Sequence, residues 1–297
     1  IGGTGFVGFH LAKKCLSLKL RVTIISLNKP KKFRKLRKVK YINFNIANYK
    51  KLKSVINPKK FNYVVNLGGY VNHKNKKKLV DGHLKSTQNL ANLFLNQSLT
   101  KFIQIGSSAE YGSNNSPHYE NMKCKPVGLY GIYKYKASTY LLNNKKIKFD
   151  FKILRFYQLY GPYQDLNRFL PQLIYYCLNK MDFPTSNGKQ YRDFLFIDDA
   201  ITAIIKTLKA PKTKFKIFNI GYGSPINLKK IMILADKKTK GLRAQFGKIK
   251  LRLGEKKIIY PDIKLSKKIL NWQPKTTFEN GFEKTLKYYK NNLANFI

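Results

Sequence analysis

Apolar residues along this chain fall into two alternating patterns. Short β-branched or aromatic runs occur at residues 21–26, 39–44, 63–67, 102–105 and 152–159. Between them lie helical stripes: Leu11, Ala12 and Leu16, then Leu84, Leu90, Leu93 and Phe94, then Tyr133, Ala137 and Tyr140. The runs predict strands and the stripes predict helices, one starting near Gly5 and others at 84–95 and 130–142. Strands separated by helices predict an α/β fold, a doubly wound parallel sheet covered on both faces. Past Gly161-Pro162 the elements shorten and prolines recur at 171, 184, 211, 225, 261 and 274. Residues 1–160 are therefore expected to form a dinucleotide-binding domain. Residues 161–297 are expected to form a smaller irregular substrate domain, with segments returning to the first and an amphipathic closing helix from Phe282.

The ends of the predicted strands hold the chemistry. Gly2, Gly5 and Gly8 give G-x-x-G-x-x-G directly before the first helical stripe. Glycines let backbone approach a pyrophosphate, and a helix N-terminus offers amides and a positive dipole end. The strand that should precede this turn is reduced to Ile1, so the first strand is expected to be largely missing and this chain to fold poorly without it. Ser26 ends the run at 21–26, where an NAD site carries an acid for the ribose 2′-hydroxyl. Asn28, Lys29, Lys31, Lys32 and Arg34 follow. This pattern favours NADP, with NAD as the alternative. Gly68 and Gly69 follow the run at 63–67, and Ser107 follows the run at 102–105. All these positions lie at carboxyl ends of strands, where parallel sheets bind ligands.

Tyr130 and Lys134 form Y-x-x-x-K at the start of a predicted helix. Residues i and i+4 share a helix face, so the ammonium lies near the phenol. A neighbouring cation favours a phenolate, which suits proton exchange with a substrate oxygen during hydride transfer. Tyr49/Lys53, Tyr119/Lys123 and Tyr260/Lys264 repeat the spacing, but only Tyr130/Lys134 follows a serine-bearing strand end and opens a predicted helix.

GGTGFVG at the start, GSSAEYG at 106–112, YGIYK at 130–134, LRFYQLYGP at 154–162, QYRDFLFIDD at 190–199, FNIGYG at 218–223 and LNWQP at 270–274 occur in this order. Together they resemble the extended short-chain dehydrogenase/reductases of the NAD(P)-dependent nucleotide-sugar epimerase/dehydratase group, over essentially the whole chain. The resemblance implies a Rossmann-type fold and a catalytic set of Ser107, Tyr130 and Lys134, with Ser108 a second candidate for the serine role. It implies cofactor contacts from Gly2, Gly5, Phe6, Val7, Gly8, Ser26, Asn28, Lys29, Asn45, Ile46, Leu67, Gly68, Gly69 and Lys134. It implies a sugar-nucleotide substrate met by Ser108, Gln158, Arg168 and Arg192. Arg192 could instead pair with Asp198 or Asp199, while Asp193 and Asp198 are expected to fix the loop and cap the next helix. Asn45 stands where relatives often carry Asp, and His83 where they carry Asn. A 4,6-dehydratase needs an Asp-Glu pair after the catalytic hydroxyl residue; here Ser108-Ala109 stands there. The expected activity is an NADPH-linked reduction of a nucleotide-4-keto-6-deoxyhexose, as in reductases of the CDP-abequose type, with a nucleotide-sugar epimerase holding NAD as the alternative.

Composition modifies this only at the margin. The 297 residues carry 59 Lys and Arg against 14 Asp and Glu, a net charge of +45. That charge raises a nucleic-acid-binding reading on a Rossmann scaffold, but no nucleic-acid motif accompanies it. A positive field equally draws in an anionic nucleotide sugar. Three scattered cysteines, Cys15, Cys124 and Cys177, fit a reducing compartment, so a cytoplasmic location is expected. His10, His73, His83 and His118 make no ligand spacing, so no metal is expected. No apolar run is long enough to span a bilayer. A homodimer is a property of the family that nothing in the sequence tests.

Overall fold

The computed structural model describes residues 1–70, 75–251 and 254–296. His73 lies outside the described residues. Helix α1, Phe6–Ser17, follows the glycine turn and leads to strand β1, Val22–Ser26. Strand β2, Val39–Asn43, pairs in parallel with β1. Strands β3 (Tyr63–Asn66), β4 (Lys101–Ser107), β5 (Phe151–Phe156) and β8 (Ile217–Ile220) form a second parallel group in the order β8-β5-β4-β3. Ile1 lies between the two groups. Its ammonium donates to the Val65 carbonyl (2.7 Å), its own carbonyl accepts from Leu67 (3.1 Å), and the Gly2 amide donates to Ile25 (2.8 Å). Ile1 and Gly2 thus join the groups through backbone hydrogen bonds.

Alternation along β4 divides the core between the two faces of the sheet. Ile103 and Ile105 pack with Leu11, Leu154 and helix α5 (Ile197–Lys209), whereas Phe102 packs with Val64, Leu90 and Phe94 on the other face. Burial on both faces explains why these strands read as continuous apolar runs.

Two elements depart from the sequence pattern. The helix expected at 84–95 begins earlier, with a turn at Lys76–Leu79, and passes through a π-helical segment, Val80–Lys85, before α2, Ser86–Phe94. His83 is the buried residue of this π-helical segment, and its ring lies against Gly69 just after β3. The strand expected at 152–159 ends at Phe156. Beyond it, β6 (Gln158–Tyr160) pairs with β7 (Phe194–Phe196), because the Gln158 amide donates to Asp193 rather than into the main sheet. The expected helix at 130–142 is α3, Gly128–Asn143; α4 is Phe169–Leu178, and the closing helix α6 is Phe278–Asn292.

Candidate active site

The glycine turn divides its work among its glycines. Gly2 has φ +73°, and a Cβ there would meet the Gly68 amide nitrogen at 2.9 Å, so it turns the chain against the end of β3. A Cβ on Gly8 would meet the Gly3 Cα at 2.4 Å, so Gly8 lets α1 lie directly on the turn. Gly5, the N-cap of α1, differs: its Cβ would meet nothing nearer than the Gly2 carbonyl at 3.5 Å. Open space therefore stands before the first turn of α1, at Phe6, Val7 and Gly8, where a helix leaves its amides without intrahelical partners. These residues fit a dinucleotide pyrophosphate, with tight turn, close approach and close helix packing each assigned to one glycine.

The neighbouring strand ends are already organised. The Ser26 hydroxyl is buried and accepts from the Thr4 amide (3.4 Å), tying β1 to the glycine turn. Asn43 Nδ2 donates to the carbonyls of Ser26 and Asn28 (3.3 and 2.9 Å). Lys29 is exposed. Lys31 and Arg34, two of the cations suggesting NADP, instead meet Asp165 at 2.8 and 3.1 Å. Burial alone would raise the Asp165 carboxyl, but hydrogen bonding to Lys31 and the Arg34 charge outweigh it and hold the carboxyl below its usual range. Asn45 Oδ1 accepts from Ala47 (3.0 Å), and the Ile46 carbonyl accepts from Asn89 (2.8 Å). Gly68 donates to Asn66 Oδ1 (3.1 Å), next to Leu67. Gly69 makes room for His83, whose Cε1 would lie 2.4 Å from a Cβ there.

Helix α3, which carries Tyr130 and Lys134, packs closely on the turn after β4 that begins at Ser107. A Cβ on Gly131 would meet the Ala109 carbonyl oxygen at 2.6 Å, so only glycine permits this approach. Ser107 caps the short helix Ser108–Glu110: its hydroxyl accepts from the Ala109 amide (3.2 Å), leaving its own proton to donate elsewhere. Glu110 returns the cap by accepting from the Ser107 amide (2.9 Å). Glu110 is fully buried and pairs with Arg155 at 3.0 Å, which fixes the cap from beneath. Lys134 is buried, donates to the Ile105 carbonyl (2.8 Å) and stands 6.0 Å from the centre of the Tyr130 ring. Ser108 is half-buried beside Ser107.

His83 meets the Tyr130 ring edge-on, with centroids 5.4 Å apart. Its Nε2 lies 2.9 Å from the Tyr70 carbonyl, and Nδ1 has no hydrogen-bond partner among the described residues. Burial, reinforced by the Lys134 charge, pushes the imidazole down to about 3. His83 is thus a neutral ring against the candidate catalytic tyrosine. The sequence marked it only as a departure from asparagine.

The expected substrate residues are spread more widely. Gln158 is exposed on β6. Arg168 is exposed at the N-cap of α4. Arg192 is buried and pairs with Glu255 (2.6 Å), a partner distinct from the Asp198 and Asp199 suggested by sequence proximity. Its Nη1 donates to the carbonyls of Tyr191 and Lys257. Asp193 is buried and accepts from the Tyr222 and Gly223 amides, both at 2.7 Å, fixing the turn after β8. Asp198 lies exposed in the first turn of α5, whose N-cap, Phe196, makes no side-chain cap. No group of three or more metal-ligating side chains occurs among the described residues, and none of their helices is long and apolar enough to cross a membrane.

The model of the NAD dependent epimerase/dehydratase family matches residues 1–221. The chain belongs to this family. It is an enzyme of the NAD-dependent epimerase/dehydratase type on an extended short-chain dehydrogenase/reductase fold. A UDP-glucuronate 4-epimerase of Thermodesulfobacterium geofontis is 25% identical over 262 residues, covering 86% of this chain and 80% of that protein. CDP-abequose synthase of Salmonella typhimurium is 30% identical over 145 residues, covering 46% of this chain and 48% of that protein. The structure of a Bacillus cereus UDP-glucuronic acid 4-epimerase, in complex with UDP-glucuronic acid and NAD, superposes with a TM-score of 0.85 at 25% identity, covering 98% of both chains.

Proposed function

We propose that this chain is a nucleotide-sugar 4-epimerase that holds NAD and acts on a UDP-hexose or UDP-hexuronic acid. The observation that carries the reading is the assembly of Ser107, Tyr130 and Lys134 at the end of β4, with Ala109 where a dehydratase would need an acid. The 4-epimerase relative matched over most of both chains supports it. The reductase expected from sequence becomes the second reading, favoured by Ser26 in place of an acid and by the partial match to CDP-abequose synthase.

NAD, which Gly2, Gly5, Gly8 and the first turn of α1 would hold, would supply reversible hydride exchange with the sugar carbon. Tyr130 receives the proton of the sugar 4-hydroxyl and later gives it back. Ser107 donates a hydrogen bond to the same oxygen, using the proton its capping role leaves free. The Lys134 ammonium places positive charge beside the phenol where negative charge develops. Arg168 and Arg192 are assigned to the substrate diphosphate, since a guanidinium reads phosphate bidentately; Arg192 would share its charge with Glu255.

The test supplies purified protein with UDP-glucose, UDP-galactose and the corresponding uronic acids, without added nicotinamide, and resolves the products chromatographically. Epimerisation is expected, and Tyr130→Phe should slow it about 10²–10⁴-fold. Consumption of NADPH with a 4-keto-6-deoxy sugar, and no epimerisation, would establish the reductase instead.

A further inference from the structure

Asp165 occupies an unusual place in so basic a protein. It lies in the segment after Gly161, yet its carboxylate reaches back to the arm that follows β1. Lys31 Nζ meets one oxygen at 2.8 Å and Arg34 Nη2 the other at 3.1 Å. Arg34 is 3% exposed and also donates through Nε to the Tyr163 carbonyl (3.0 Å), so it cannot swing out to another anion without breaking both contacts. Tyr163 is itself pinned. Its φ is +68°, and its ring packs on Phe9 and Tyr288 with centroids 4.5 and 4.4 Å away. The loop that carries Asp165 is therefore held firmly against the arm.

That arm starts at Ser26, whose hydroxyl is bonded to the glycine turn. The end of this strand is where a dinucleotide's adenosine ribose sits, and where a basic side chain accommodates a 2′-phosphate. We propose that Asp165 biases dinucleotide selectivity: by holding Lys31 and Arg34 it withholds two of the four cations at 29–34 from a 2′-phosphate, leaving Lys29 and Lys32 exposed, so the chain favours NAD over NADP although no acid follows β1. The inference rests on the NAD reading above and extends it to a residue far from the glycine turn in sequence. Selection here works by occupying the cations rather than by an acid on the ribose.

The experiment titrates full-length protein with NADH and NADPH, following nucleotide fluorescence, and identifies the nucleotide that copurifies by releasing it with heat. Wild type should carry NAD or NADH and bind NADH more tightly. Asp165→Asn keeps one acceptor oxygen, puts an amide donor in place of the other and removes the charge. It should raise NADPH affinity relative to NADH by about tenfold, the scale expected when one fixed charge near a doubly charged phosphate is removed. Adding Lys31→Gln to that variant should take back part of the gain. A purely structural role would weaken both nucleotides together and leave their ratio unchanged. That result, or a wild type that binds NADPH as tightly as NADH, overturns the proposal while leaving the epimerisation test to be judged on its own products. Binding of neither nucleotide overturns both.

Discussion

His83 sits where it resists taking a proton. Its ring is buried between Gly69 and Tyr130, near the Lys134 ammonium, and its folded value of about 3 lies far below the 6.5 of an exposed histidine. A depressed folded value means that this contribution to stability is fully present above pH 6.5. It is lost as pH falls towards 3, because the unfolded chain gains a proton that the folded ring refuses. The loss approaches about 1.4 kcal/mol per pH unit, or roughly 2 kcal/mol between pH 7 and pH 5. His83→Asn removes the titration, so urea unfolding should show the variant losing less stability than wild type over that interval. Parallel losses would contradict the assignment. Single residues differed in how far the sequence disclosed them. The placement of Ser107 at the end of β4, and of Tyr130 and Lys134 one turn apart on α3, was legible from strand-end position and i,i+4 spacing. Asp165 was not, because its partner Lys31 lies 134 positions away and no local pattern announces that pairing.

Helix α3 depends on one position. Gly131 allows it to rest on the Ala109 carbonyl, and this contact sets the distance of Tyr130 from the turn that begins at Ser107. Gly131→Ala places a methyl 2.6 Å from that oxygen, which belongs to backbone and cannot rotate away. The helix must shift by several tenths of an ångström. Steady-state kinetics should show kcat falling by about 10–100-fold with a smaller change in KM, since misplacing a reacting group costs rate more than binding. An unchanged kcat would show that the helix can slide without consequence. The stripe of Tyr133 and Ala137 made this helix readable, but its distance from the neighbouring turn was not, because Gly131 in a helical pattern reads only as tolerated. The break after Phe156 was hidden for a related reason. Tyr157 and Leu159 continue an apolar run, and only pairing with Phe194–Phe196 decides that the chain changes sheets.

Over the whole molecule, 59 cations face 14 carboxylates, and several of those carboxylates sit at buried or half-buried junctions. Asp150 alone meets Lys101, Lys152 and Lys216, while Glu110 holds Arg155 and Glu255 holds Arg192. The net charge was legible in the composition; the places where the scarce acids are used were not. Most of the remaining cations repel one another across the surface, and added salt screens that repulsion. The melting temperature should therefore rise by about 2–4 °C between roughly 50 mM and 0.5 M sodium chloride, the shift that about 1 kcal/mol produces in a domain of this size. A fall would show that attractive pairs outweigh repulsion. The order β8-β5-β4-β3 carries a further consequence for manufacture on the ribosome. Once Phe156 has emerged, β5 presents a bare row of amides and carbonyls until Ile217 arrives to cover it. At ordinary elongation rates that gap lasts about 3–12 s, long enough for a nascent chain to be caught by a neighbour's exposed strand.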